Sequence, residues 1–228
     1  VLKEDDFARD NIAPKDGIKK SSFFEAINSR GLEQLEYVFQ NLSVEAGKIL
    51  PKKYAELGEL ISIDGSLIDS VLSMCWADYR KGSKKAKVHV GFNVNQGIPS
   101  KIFLTDGKGP ERPFVDQILS PGQTGIGDRG YQEHQLFDSL QMQGKSFSIR
   151  IKANTTKICI KANEVTPESI VFYDAEVLLG TVKNNNQTKK PVRLVGYSVA
   201  CVDYWIATDS RELTAEEIEK TYKLSWDI

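Results

Sequence analysis

The spacing of apolar residues divides the chain into a helical start and a strand-rich remainder. Over residues 21–48, SSFFEAINSRGLEQLEYVFQNLSVEAGK, apolar positions recur at threes and fours: Phe23, Phe24, Ile27, then Leu32, Leu35, Val38, Phe39 and Leu42. That period predicts amphipathic helices, with a break at Gly31 and a fresh N-cap at Ser43. From residue 60 the period changes. Leu60, Ile61 and Ile63 predict a short strand ending in Asp64-Gly65-Ser66. KVHVGFNVN (87–95) alternates through Val88, Val90, Phe92 and Val94, and KIFLTD (101–106) follows a turn at Gly97 and Pro99. Together they predict a hairpin with one buried face. ERPFVDQIL (111–119) reads as a short helix with Pro113 tolerated in its first turn. QTGIGD (123–128) reads as a brief strand, EHQLFDSLQMQG (133–144) as a helix closed by Gly144, and SFSIRIK (146–152) as a strand.

Strand, hairpin, helix, strand, helix, strand is the order expected of a mixed α/β sheet with helices on its faces. Beyond residue 152 the texture becomes β-rich. ICIKA (158–162), SIVFYDAEVLLG (169–180) and PVRLVGYSVACV (191–202) are joined by polar stretches, with NNNQT (184–188) as a loop tip. YWIATD (204–209) is one more strand. Thr214 then caps a helix with acidic residues in its first turn. The predicted organisation is a helical segment over 1–57, the first part of an α/β core over 58–153, a β-rich insertion over 154–205, and a return strand with the start of a last helix over 206–228.

Composition narrows the class. The 228 residues are 40% hydrophobic and 27% charged, as in globular proteins. No apolar run approaches the roughly 18 residues of a membrane span. The polar start VLKEDDFARD is expected to be neither a signal peptide nor, lacking Met, a native start. Cys75, Cys159 and Cys201 are widely separated and form no C-x-x-C pair, so packed thiols in a reducing cytoplasm are expected. The net charge of −1 selects no partner. Its distribution does: RKGSKKAK (80–87) is dense in basic residues, and such patches neutralise phosphates when they are not simply solvated.

The stretch GIGDRGY (125–131) poses the chemical question. Its glycines fit G-x-G-x-x-G. A pyrophosphate cradle is a poor reading, because Asp128 would lie inside it and repel the ligand, and the preceding strand is too short and polar. An ordinary turn remains open. The third reading draws on Asp64, which also follows an apolar run and precedes Gly. Two carboxylates on adjacent strands would repel one another unless hard divalent cations bridge them. Two such ions about 3.5–4 Å apart suit phosphodiester chemistry.

LISIDGSLID, KVHVGFNVNQGIPSKIFLTDGK and IGDRGYQEHQLFDSLQMQGKSFSIRIK, in that order, resemble the DDE transposases of bacterial insertion sequences. The resemblance spans about residues 20–228 and is closest to the group with a β-rich insertion. The tail YWIATDSRELTAEEIEKTYKLSWDI resembles that group's signature helix: Tyr, two residues, Arg, three residues, Glu, six residues, Lys. The resemblance implies an RNase H-like core and metal-dependent DNA cleavage and strand transfer, with Asp64 and Asp128 as the first two catalytic acids holding two Mg²⁺ ions, Mn²⁺ substituting. It implies DNA as partner, a homodimer on DNA as the allowed assembly, and a cytoplasmic, nucleoid-associated protein. Tyr222 matches the signature Tyr, whereas Ser225 stands where the group has Arg. The third acid would follow Ile228, so the chain reads as a fragment. A regulatory relic without chemistry and a different RNase H-like nuclease are the alternatives.

Other candidates carry weaker signals. Arg80, Lys84, Lys85, Lys87, Arg129 and Tyr222 are expected to touch DNA. Trp76 and Tyr79 lie near the basic run, where an aromatic ring stacks on a base or simply packs. His89 is expected to be a satisfied sheet residue, His134 a helix-surface one and Asp106 a turn cap. Trp205 and Trp226 are expected in the core.

Overall fold

The computed structural model describes residues 33–69, 77–80 and 83–226, with single positions at 19, 21, 22 and 25. The expected helix over 23–32, its break at Gly31, and Cys75 and Trp76 lie outside them. The chain divides at Lys48/Ile49 into two units. In the first, helix α1 (Glu33–Ile49) is continuous. Ser43 is therefore interior rather than an N-cap. The cost of Ser against Ala inside a helix is only a few tenths of a kcal/mol, too little to interrupt a stripe running from Leu35 through Val38 and Leu42 to Ile49.

The second unit begins with a 3₁₀ turn (Ala55–Leu57), β1 (Glu59–Asp69), β2 (Lys85–Asn93) and β3 (Ile98–Asp106). Helix α2 (Arg112–Ile118), β4 (Gln123–Gly127), a second 3₁₀ turn (Arg129–Tyr131), α3 (His134–Met142) and β5 (Ser146–Arg150) follow. Next come β6 (Lys157–Ala162), β7 (Val171–Leu179), β8 (Val192–Val199), β9 (Val202–Thr208) and α4 (Ala215–Leu224). The nine strands form one mixed sheet in the order β3-β2-β1-β4-β5-β9-β8-β7-β6. β1, β4 and β5 run parallel at its centre. This is the mixed α/β architecture expected of an RNase H-like domain. The β-rich region does not make a second sheet: β9 pairs with β5 and extends the first one.

Alternation along the central strands builds two cores. Ile61 and Ile63 of β1 and Phe147 and Ile149 of β5 point to one face, where Val115 and Ile118 of α2 and Phe137 and Leu140 of α3 cover them. Leu60, Ile126 and Ile206 point to the other face, under Ile218 and Tyr222 of α4. The period of two fixes which residues share a face. Helix α4 is closed at its start by the expected cap: Thr214 accepts from the Glu217 N–H while the Glu217 side chain accepts from the Thr214 N–H.

Three glycines of the 125–130 run serve close packing rather than an anion. A Cβ at Gly125 would stand 2.7 Å from Leu119 Cδ1, one at Gly127 3.1 Å from the Tyr131 ring, and one at Gly130 2.9 Å from Asp128 Oδ1. Two other expectations change. Cys159 and Cys201 are exposed rather than packed, because β6 is an edge strand and Cys201 sits in the β8–β9 turn at φ +63°. Trp226 is also exposed, touching Tyr222 edge-on, whereas Trp205 packs against the core as expected.

Candidate active site at the carboxyl ends of the parallel strands

Register brings Asp64 and Asp128 together. In the parallel β1–β4 pair, Ile61 lies opposite Gly125 and Ser62 opposite Ile126. Asp64 and Asp128 each follow the last pair by two residues (64 − 62 = 128 − 126 = 2). Neighbouring strands lie about 4.8 Å apart, and both acids have the parity of Leu60 and Ile126, which face α4. Asp128 lies just past β4, with its backbone still extended at φ −78° and ψ −179°. Asp64 is not at a strand end as expected. β1 runs on to Asp69 because β2 continues alongside it, with Asp64 opposite Val90 and Asp69 opposite Lys85. What ends near Asp64 is the pairing with β4, which leaves that side of β1 open.

Both side chains are oriented by short-range hydrogen bonds. Asp128 Oδ1 accepts from the Gly130 N–H at 2.8 Å, and Asp64 Oδ2 accepts from Ser66 Oγ at 3.1 Å. Both residues are exposed. Tyr131, in the turn just after Asp128, is 2% exposed and packs into the core under α2 and α3, and its hydroxyl has no hydrogen-bond partner among the described residues. Burial drives its pKa up, and Glu111, Asp64 and Asp128 push it the same way. Glu111, just before α2, lies over Gly65 and is ion-paired with Lys87 at 3.0 Å. Among the described residues no three acidic, histidine or cysteine side chains gather closely enough to hold a metal ion. The Asp64–Asp128 donor set, exposed hard oxygens on adjacent strands, fits a divalent cation shared with a substrate.

Next to the acids stands Arg150. β4 and β5 pair in parallel with Gly127 opposite Ile149, so the next position along each chain sets Arg150 beside Asp128. Its guanidinium lies 4.4 Å over the Tyr204 ring. Tyr222 is 2% exposed. Burial raises its pKa, with Arg150 lowering it and Asp128 raising it.

The other candidates are distributed differently. Lys84 is paired with Asp78, Lys85 with Asp69 at 2.6 Å, and Lys87 with Glu111 and the Gly109 carbonyl. Asp69 holds the Lys85 ammonium pKa above its ordinary value. Arg80 lies 5.9 Å over the Tyr79 ring, and Arg129 is exposed beside Asp128. His89 is a buried sheet residue as expected, bonded to Thr105 Oγ1 at 2.9 Å and stacked on Phe114. Asp106 caps its turn by accepting from the Lys108 N–H. His134 meets the Asn186 carbonyl at 2.5 Å.

Sequence reasoning missed Arg150, Tyr131 and Glu111 as neighbours of the acidic pair. Laying GIGD against FSIR as adjacent parallel strands would have found Arg150. Glu111 carries no local signal, since its place depends on how α2 packs. No helix among the described residues is long and apolar enough to cross a membrane.

Residues 57–228 match the family model described as Transposase DDE domain. Over 214 residues, 91% of the chain, the sequence is 22% identical to a protein of Synechocystis sp. named as a transposase for insertion sequence element IS4SA. Over 155 residues, 67% of the chain, it is 26% identical to a Geobacillus stearothermophilus protein named as a transposase for insertion sequence element IS5377. The chain spans 59% and 41% of the lengths of these relatives.

Proposed function

Because the chain belongs to the transposase DDE domain family, we propose that it cuts a phosphodiester at the end of an insertion sequence and joins the freed 3′-hydroxyl to target DNA. The observation that carries this reading is the shared register of Asp64 and Asp128 on adjacent parallel strands. These two carboxylates would hold two Mg²⁺ ions, with Mn²⁺ able to substitute. Bound there, such ions activate an attacking oxygen and neutralise charge on the leaving one.

The chain's own residues do the rest. The Gly130 N–H and Ser66 hydroxyl fix the carboxylate rotamers. The open side of β1 leaves room for a bulky strand. Arg80, Lys84, Lys85, Lys87 and Arg129 are the proposed backbone contacts. Each paired lysine would exchange a surface carboxylate for a phosphate, a small cost for exposed pairs and a larger one for the less exposed Lys87. Tyr222, being buried, would act by positioning its neighbours. The reading places the protein on DNA in the bacterial cytoplasm, with a homodimer as its working assembly.

The test uses supercoiled DNA carrying insertion-sequence ends, with Mg²⁺. Asp64→Asn and Asp128→Asn are expected to retain DNA binding and to lose strand cleavage. Normal cleavage by either variant rejects the assignment. Cleavage without joining by the unaltered protein would identify a nuclease instead.

A further inference from the structure

We propose that the loop between β7 and β8, residues 180–191, is a second landing surface for duplex DNA, with Lys183, Lys189 and Lys190 set against backbone phosphates beside the acidic site. The inference rests on DNA being the partner and assigns it a surface outside the Asp64–Asp128 pair. The densest basic run of the sequence, at 80–87, is largely neutralised within the chain. Lys84 pairs with Asp78, Lys85 with Asp69 and Lys87 with Glu111, so each must give up a carboxylate before it holds a phosphate. Lys183, Lys189 and Lys190 are exposed, and none of them makes an ion pair among the described residues. Their charge is available to a polyanion at no such cost.

The loop is fixed at both ends. Asp138 of α3, 6% exposed, accepts from the Lys189 N–H at 3.0 Å and from the Lys190 N–H at 3.1 Å. These bonds hold the backbone under both lysines and occupy a carboxylate that would otherwise attract their ammonium groups. Thr188 Oγ1 accepts from the Leu179 N–H at 3.1 Å, and Asn186 Oδ1 accepts from the Thr181 N–H at 2.9 Å. Asn185 turns the tip at φ +49°, a conformation Asn adopts more readily than most residues. The Asn186 carbonyl meets His134 at the start of α3. Just before it, Gln132 accepts from the Lys152 N–H and donates to Thr155, while the Gly180 N–H donates to the Thr156 carbonyl. The turn after Asp128, the β5–β6 loop and the β7–β8 loop therefore meet. In strand order they lie on the β5 side of the acids, whereas the 80–87 run lies on the β2 side. Of the acids in these segments beyond Asp128, Asp138 is buried and Glu133 is half-buried. DNA crossing the acids from β2 toward β5 would meet positive charge on both flanks, and Lys and Asn side chains on a fixed loop are suited to positioning a backbone.

The experiment measures binding of a DNA duplex carrying an insertion-sequence end to the full chain in Ca²⁺, over a range of salt. The triple variant Lys183→Gln/Lys189→Gln/Lys190→Gln is expected to lower the slope of log K against log salt by about 2–3 and to weaken binding about 10- to 100-fold near about 0.1 M salt. The matching triple change to Arg keeps the charges and is expected to keep both slope and affinity. If the Gln triple fails to fold, Lys183→Gln alone decides, with a slope lower by about 1 expected. A second arm ethylates single phosphates. A group of positions is expected to weaken the unaltered protein and to have no effect on the Gln triple, which separates a contact from a general loss of charge. An unchanged slope, or the same set of sensitive phosphates in both proteins, overturns the proposal. Should the unaltered protein bind and cleave while the Gln triple binds equally well, only this inference falls. Should cleavage survive Asp64→Asn and Asp128→Asn while the Gln triple loses its phosphates, the catalytic reading falls and the loop remains a DNA contact. Should the unaltered protein bind no duplex, both fall.

Discussion

Replacing Arg193 with Met removes a guanidinium that ties β8 to β7 and to the segment just before α4. Arg193 Nε and Nη2 donate to Asp174 at 2.9 and 2.7 Å, while Nη1 donates to the Leu213 carbonyl at 2.6 Å, next to the α4 cap. The two side chains are only 10% and 5% exposed. Burial pushes the Asp174 pKa up, but Arg193 and Asn163 more than offset this and hold it below its ordinary value. Arg193→Met leaves that carboxylate buried with Asn163 as its remaining side-chain donor, and strips the Leu213 carbonyl of its donor. Breaking one side of such a buried pair costs about 3–5 kcal/mol. At about 2–4 °C per kcal/mol for a chain of this size, the melting temperature should fall by about 6–20 °C. Urea unfolding followed by circular dichroism measures the free energy. The double variant Asp174→Leu/Arg193→Met should recover most of the loss, since it removes the orphaned charge. A single variant within about 1 kcal/mol of the parent, or a double variant no better than the single, refutes the reasoning.

Other consequences are separately measurable. Burial and then Lys87 lower the His89 pKa from 6.5, against the opposing pull of Glu111. The unfolded chain therefore takes up a proton before the folded one does. The His89 term leaves stability unchanged well above pH 6.5 and lowers it as pH falls through that value toward the folded pKa; His89→Gln should flatten this part of a melting-temperature profile. Gly125→Ala drives a methyl into Leu119 and Ile63, and overpacking should cost about 1–3 kcal/mol in urea unfolding. Tyr131→Phe removes a buried hydroxyl that lacks a partner, so equilibrium unfolding should show a gain of about 1 kcal/mol or more. Thr214→Ala breaks the capping box and should cost about 1 kcal/mol, with faster amide exchange in the first turn of α4.

Local pattern carried most of the fold. Strands and helices from 85 to 150 fall where alternation and threes-and-fours put them, because each buries one face and its sequence records which. β1 was read too short because residues 64–69 pair with β2 alone, and such a half-free strand needs no apolar alternation to persist. Ser43 suits an N-cap by residue type alone, but the apolar period runs on through it and the helix continues. That Asp64 and Asp128 lie side by side is a matter of register: β1 and β4 pair in parallel and each acid follows the last pair by two residues. Arg150 was not legible in the sequence, since its relation to Asp128 exists only once β4 and β5 are in register. The pairing of Lys84, Lys85 and Lys87 with carboxylates was equally hidden, as Asp69 and Glu111 reach them through tertiary contact.

The account stands on Asp64 and Asp128 serving one cation site, and iron-directed cleavage of the protein itself tests this most directly. Fe²⁺ bound in place of Mg²⁺, given ascorbate and peroxide, generates radicals that cut the backbone beside the residues holding it. The account predicts two cuts, near Asp64 and near Asp128, that appear together, are suppressed by excess Mg²⁺, and are both lost in Asp64→Asn. A cut at one acid that survives removal of the other, or no Mg²⁺-sensitive cut at either, would contradict it.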